Sequence, residues 1–325
     1  MPKIKELPKS LRPFSAHGID IDYVQDEDEA YAPCPSCGRS DRKFSINVDS
    51  SKFHCYICGL GGAGAIDFLR WLWNESDKRS NDYTELSQQR RLLNAETPMH
   101  FGVCRSIITN EWIIPGFNAK VEIVQVYQYV KQFNGKWSAI ATAEVGHGLF
   151  GVQLFDHKKP DLFVLEGWSD AAAIWEVLRS TKKMEGENGD GTKYALTASE
   201  PNSLYAHTNV IAVPGAGTFS ESWCPLFSGK RVFLLYDSDH PKLHCKACKK
   251  TYSKVLHSKC PKCSGQLSGP EIPPVGCNGM KRTAQILANA EQPPESISIL
   301  RWGANGYDES LVSGYDVRDF LTEVK

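Results

Sequence analysis

Apolar and polar positions alternate differently along the chain, and the changes of period mark out its elements. Residues 43–48 alternate with period two and predict a strand, with Lys52, Phe53 and His54 following it. Residues 65–73 carry apolar side chains at helical spacing, so a helix is expected there. Residues 74–89 are polar without an apolar stripe and predict a boundary. Val, Ile, Tyr and Gln dominate residues 111–140, broken by Pro115-Gly116 and Asn134-Gly135, which predicts a small antiparallel sheet.

The second half reads differently. Residues 161–165 form an apolar run that ends in Glu166 and Gly167, and a helix is expected from Ser169 or Asp170 to Arg179. Further strands are predicted at 209–213, 231–236 and 296–302, with a helix over 280–290. Strands alternating with helices imply a largely parallel α/β sheet, whose functional groups gather beyond the carboxyl ends of its strands.

Cysteine spacing adds metal chemistry. Eight of the eleven cysteines fall into four Cys-x-x-Cys pairs: Cys34/Cys37, Cys55/Cys58, Cys245/Cys248 and Cys260/Cys263. Seventeen residues separate the first two pairs and eleven the second two, so the pairs group into two four-cysteine zinc sites. Disulfides suit small secreted domains, and no secretion signal is seen at residues 1–12. A redox pair would stand alone, whereas these are duplicated and the first two are followed by Gly38 and Gly59. Cys104, Cys224 and Cys277 have no such partners and are expected as small buried hydrophobes.

Two apolar strands end in acid, the first at Glu166 and the second at Asp237-Ser238-Asp239. If the strands are neighbours, three carboxylates converge. Two such charges about 4 Å apart repel by roughly 4 kcal/mol at an effective dielectric near 20. A divalent cation with oxygen ligands, Mg²⁺ or Mn²⁺, relieves that repulsion and suits phosphoryl transfer. Asp170 is also read as a helix N-cap.

These residues resemble a known family. Glu166-Gly167-Trp168-Ser169-Asp170 is similar to the glutamate-glycine-x-x-aspartate motif of TOPRIM domains, and Asp237-Ser238-Asp239 to their Asp-x-Asp motif. His54-Cys55-Tyr56-Ile57-Cys58-Gly59, followed by Gly61-Gly62 and Ala65-Ile66-Asp67-Phe68-Leu69, resembles the zinc-binding module of DnaG-type primases, in the four-cysteine phage-like form. The resemblance implies an α/β protein with small zinc-ribbon domains. These would be a template-recognition ribbon over 1–80, a linker over 81–108, a small mixed β subdomain over 109–158 and a Rossmann-like TOPRIM domain over 159–325. A second ribbon, 240–278, is inserted where the family passes almost directly to a glycine and a basic helix, here Gly279, Met280, Lys281 and Arg282.

By the same resemblance Glu166, Asp170, Asp237 and Asp239 are catalytic. Glu166, Asp237, Asp239 and Asp316 hold Mg²⁺ or Mn²⁺, with Asp319 the second choice for the last acid. Gly167, Gly215, Gly217, Lys281 and Arg282 are expected at the nucleotide. Phe53, His54 and Tyr56 are expected at DNA, and Lys120, Lys131 and Lys136 are candidate basic residues of the small sheet; Lys249 and Lys250 are expected at DNA from the local run of lysines, since the resemblance assigns the inserted ribbon no role. Trp71 and Trp73 lie inside an apolar helix and are read as core. The implied activity is synthesis of short RNA primers on single-stranded DNA from nucleoside triphosphates, with two zinc ions. The alternatives are a TOPRIM nuclease and a non-catalytic DNA-binding protein.

Composition refines this. With 325 residues, 41% hydrophobic and 23% charged, the chain has room for two or three domains and contains no apolar run long enough for a bilayer, so a cytoplasmic site in a bacterial or phage-infected cell is expected. The formal net charge of -1 conceals a local imbalance, because residues 241–263 hold seven lysines and no Asp or Glu. No Gly-x-x-x-x-Gly-Lys-Ser/Thr sequence occurs, so a replicative helicase is expected as a separate chain.

Overall fold

The computed structural model describes residues 6–133, 135–179, 184–187, 193–196, 203–303, 308 and 310–323. Asn134 of the expected Asn-Gly turn lies outside them. The chain divides into two compact units, one of Met1–Tyr83 with Pro98–Gln153, the other of Thr84–Thr97 with Leu154–Lys325.

The first unit holds two antiparallel sheets. Strands Glu29–Ala32, Phe44–Asn47, Phe53–Cys55 and Gly61–Gly62 pair in sequence order. Alternation buries Phe44, Ile46 and Phe53, which meet Phe14 and Phe68 in an aromatic core whose ring centroids lie 4.6 to 6.1 Å apart. Phe68 belongs to the helix Ala65–Asp77, which is four residues longer than its apolar pattern predicts. The extra turn is held because buried Ser76 accepts the Ile107 N–H through its hydroxyl at 3.0 Å.

The same helix packs on the second sheet, Cys104–Arg105, Trp112–Phe117, Ile123–Lys131 and Trp137–Ile140, where Arg70 Nε donates to the Ile123 carbonyl at 3.0 Å. Gln125 and His17 are buried in this unit, each with hydrogen-bonding partners. The His17 ring donates from Nε2 to Thr142 Oγ1 at 2.8 Å, since that hydroxyl's own proton goes to the Val126 carbonyl. Burial lowers the His17 pKa to about 4.

The second unit is built on a four-stranded, fully parallel sheet in the order Thr208–Val213, Asp161–Glu166, Arg231–Leu235, Ser296–Ile299. Register places Val213 beside Glu166 and Leu165 beside Leu235, so the glutamate strand and the aspartate strand are neighbours and end at the same level, which meets the condition for their acids to converge. Helix Trp168–Arg179 buries Trp168, Ala171, Ala172 and Trp175 against the sheet.

The expected linker, 81–108, is not one: it holds helices Thr84–Gln89 and Thr97–His100 and strand Cys104–Arg105. Its middle is bound to the second unit through buried Glu176, which accepts the N–H groups of Leu93 at 2.7 Å and Asn94 at 2.9 Å and the Thr97 hydroxyl. No helix among the described residues is long and apolar enough to cross a membrane.

Candidate functional site

Two sets of four cysteines come together, Cys34, Cys37, Cys55 and Cys58 in the first unit and Cys245, Cys248, Cys260 and Cys263 in the second, with all sulfurs of a set within 4.8 Å of one another. Nearest contacts are 3.7 and 3.8 Å in the first set and 3.4 and 3.6 Å in the second. A disulfide needs about 2.05 Å. Thiolates about 2.3 Å from a tetrahedral zinc stand about 3.8 Å apart, so the donor set and its spacing fit zinc.

Each Cys-x-x-Cys turn is built alike. The first cysteine's carbonyl accepts the N–H four residues on, from Gly38, Gly59, Lys249 or Ser264, at 2.8 to 3.0 Å. Those four residues all have left-handed φ, at 71°, 76°, 60° and 54°. Glycine takes that conformation at no steric cost, and Lys249 and Ser264 do not.

The acidic site forms where the parallel strands stop. Glu166 ends its strand, and Gly167, with φ 85°, turns the chain into the helix carrying Asp170. Glu166 Oε2 is buried with no hydrogen-bond partner. Burial chiefly raises the Glu166 carboxyl, to about 7, and the charge of Asp239 adds to this, against N–H groups of Ala216 and Asp237 that pull it down. Asp237 is pushed up further, by burial first and then by Asp170, Glu166, Asp316 and Asp239. Carboxylates that raise one another are what a cation would neutralise. Among the described residues no three of them have oxygens within 4.8 Å of one another. Mg²⁺ needs only one or two carboxylates and keeps several waters, so this looser set fits it.

Helix Val275–Ala288 lies across the acids. It starts five residues before its expected place, and its N-terminal Gly276 donates to Asp239 Oδ2 at 3.2 Å. A Cβ on Gly276 would stand 2.3 Å from the Asp237 carbonyl oxygen, and one on Gly279 2.4 Å from the Ala216 carbonyl oxygen. Only glycine permits that approach. Arg282 donates to the Gly217 carbonyl at 2.5 Å and so holds the 213–217 loop, while Lys281 is exposed beside it. Gly215 and Gly217 have no left-handed φ, and a Cβ would fit at either.

Asp170 and Asp316 are linked by Arg318, which sequence reasoning missed. Its Nε donates to Asp170 Oδ1 at 3.0 Å and its Nη2 to Asp316 Oδ2. Burial raises the Asp170 carboxyl to about 7, with Arg318 pulling the other way. Asp316 also caps helix Val317–Glu323, accepting the N–H groups of Arg318 at 2.8 Å and Asp319 at 3.1 Å. Its oxygens are therefore committed to Arg318 and the helix end, which departs from its expected place as an open metal ligand. Asp319 pairs with Arg91. His240, also missed, ties the inserted ribbon down. Its Nε2–H donates to the Asp308 carbonyl at 3.2 Å, leaving Nδ1 to accept from Ser253 at 3.1 Å.

The DNA-contact residues expected on the first ribbon separate. Phe53 is buried in the aromatic core and has no face left for a base, which corrects the expectation of stacking there. His54 and Tyr56 are exposed, with ring centroids 4.9 Å apart, beside a hollow of about 710 Å³ that Asn47 and Lys52 also line. Trp71 stacks on Phe68, and Trp73 Nε1 donates to the Gly102 carbonyl at 2.8 Å. Cys104 and Cys277 are buried as expected, but Cys224 is half-exposed. Lys249 and Lys250 are exposed.

No family model and no curated protein matches the chain. Its solved neighbours are bacterial and phage primases. The zinc-binding and RNA polymerase domains of the Aquifex aeolicus primase align over 98% of this chain and 82% of that one, at 14% identity and TM-score 0.41. The primase fragment of the bacteriophage T7 primase-helicase protein aligns over 90% and 93%, at 14% identity and TM-score 0.39. The T7 primase domains bound to an RNA/DNA hybrid and dTTP, beside the lagging-strand DNA polymerase, align over 67% and 81%, at 18% identity and TM-score 0.31.

Proposed function

We propose that the protein is a DNA primase of the DnaG type, a nucleotidyltransferase that joins ribonucleotides into short primers on single-stranded DNA, with a TOPRIM-like sheet as its catalytic unit. The observation that carries this reading is the partnerless buried Glu166 Oε2 beside the Asp237 and Asp239 pair at the end of the adjacent parallel strand. A buried carboxylate oxygen left without a donor next to other acids is a vacant ligand position for a cation, even though N–H groups of Ala216 and Asp237 bond elsewhere on the same carboxylate.

Glu166, Asp237 and Asp239 would hold Mg²⁺ or Mn²⁺, which when bound neutralises charge on a triphosphate and its transition state. The chain's own residues do the rest. Asp170, Arg318 and Asp316 form a buried brace behind the acids. The 213–217 loop, held by Arg282, would offer the N–H groups of Gly215 and Gly217 to phosphate, since Pro214 has none and that of Ala216 goes to Glu166, and Lys281 adds a positive charge. His54 and Tyr56 on the first ribbon contact template bases, the tyrosine by stacking. The partners of this reading are single-stranded DNA, nucleoside triphosphates and a separate replicative helicase, in the cytoplasm of a bacterial or phage-infected cell.

Mn²⁺ titration tests the site. Wild type should bind Mn²⁺, and Glu166→Gln or Asp237→Asn should weaken that binding at least tenfold with zinc unchanged at two per chain. Equal binding by all three would remove the acids from the metal site. Incision of DNA without nucleotides would replace the primase reading with a metal-dependent nuclease.

A further inference from the structure

The inserted ribbon is rooted on the acidic site at both ends. It leaves the chain at His240, one residue after Asp239, and close to its far end at residue 278 the Gly276 N–H donates to Asp239. Three antiparallel strands, Lys242–Cys245, Thr251–Ser253 and Leu267–Ile272, frame its cysteines.

Its surface is basic around the metal. Lys246, Lys249, Lys250, Lys259 and Lys262 are all exposed, and each lies one or two residues from a cysteine of the same four-sulfur set. With consecutive Cα atoms 3.8 Å apart, every one of the five has its Cα within about 7.6 Å of a ligand cysteine's Cα. Lys254 is separate, being paired with Glu271 at 2.7 Å. Zinc with four thiolates carries a net two negative charges, so the five ammonium groups leave a clear positive excess.

Backbone conformation differs between the two ribbons. The corner that glycine fills in the first ribbon, at Gly38 and Gly59, is filled here by Lys249 at φ 60°. Ser264 fills the equivalent corner after Cys260 at φ 54°, so both turns of this ribbon carry a left-handed residue other than glycine, and at Lys249 that residue adds a cation beside the cysteines.

We propose that the inserted ribbon is a second nucleic-acid surface, one that grips single-stranded DNA through its phosphates next to the Asp237 and Asp239 pair. The choice of single-stranded DNA rests on the primase reading; the phosphate chemistry rests on the lysines. Such a surface holds a strand irrespective of sequence, by releasing counterions.

The test is binding of labelled oligothymidylate to the full chain across a salt series. The proteins are wild type, a variant with Lys246→Ala, Lys249→Ala and Lys250→Ala together, and one with the same three positions changed to Arg. The alanine variant should lower the slope of log affinity against log salt by about 2, from about 0.7 per phosphate contact on a single strand. Arginine should restore it, and all three proteins should keep two zinc ions. Lys249→Gly alone should weaken binding without lowering the melting temperature. An unchanged slope with zinc retained would overturn the proposal. So would loss of zinc from the alanine variant with DNA binding intact, which would make the lysines counter-charges of the thiolates. Failure of the primase reading is distinguishable: wild type would make no primers while lysine-dependent binding persisted.

Discussion

Gly276 shows how one atom is expected to control the acidic site. A methyl group there meets the Asp237 carbonyl at 2.3 Å, so Gly276→Ala must push the helix away from both aspartates. Mn²⁺ affinity should fall about tenfold or more while zinc content stays at two, as measured by Mn²⁺ titration with metal analysis; unchanged affinity would show that the helix has room to yield. Titration is expected to follow from the same crowding. Glu166 and Asp170, raised to about 7, keep protons in the folded protein that the unfolded chain releases near pH 4. Their contribution to stability is therefore complete below about pH 4 and is lost as pH rises through about 7. Mg²⁺ held at Glu166, as proposed, would displace its proton, so the rise in melting temperature on adding Mg²⁺ should grow between about pH 5 and pH 8. A shift independent of pH would mean that the cation does not bind Glu166. Strand-end acids such as Glu166 and Asp237 were legible because an apolar run stopping at a carboxylate is visible in sequence. Phe53 was not, because alternation tells which side chains share a face and not which face meets solvent.

At the scale of elements, the last helix is braced to the second unit by Arg318. Replacing it by Met leaves Asp170 and Asp316 buried without their cation and should cost about 3–5 kcal/mol, read by urea unfolding. A loss below about 1 kcal/mol would mean that the brace is dispensable. The inserted ribbon is expected to fold around its own zinc, so Cys260→Ser should reduce zinc from two per chain to one, with the first ribbon's ion retained. Loss of both would contradict independent sites. The ribbons were readable because ligand spacing is a local property. Helix Val275–Ala288 was only half readable, since Gly276 and Gly279 look like helix breakers until their approach to Asp237 and Ala216 explains them. The segment Thr84–Thr97 was missed because its attachment is polar, through Glu176, and leaves no apolar stripe.

At the scale of the molecule, order along the chain was legible and division into units was not. The expected boundary after residue 80 separated the first ribbon from the small sheet, yet helix Ala65–Asp77 joins them in one unit through contacts such as Arg70 with Ile123. Shared packing of this kind depends on long-range contacts that composition does not record. The central claim, that a parallel sheet ending in acids builds RNA on a strand chosen by a zinc ribbon, is tested most directly by primer synthesis. Labelled ribonucleotides are supplied with unprimed single-stranded DNA of mixed sequence and Mg²⁺ or Mn²⁺. Wild type should yield short RNA products, and Asp237→Asn with Asp239→Asn should yield none while retaining two zinc ions. Products from both proteins, or from neither across varied templates and with a helicase supplied, would contradict the account.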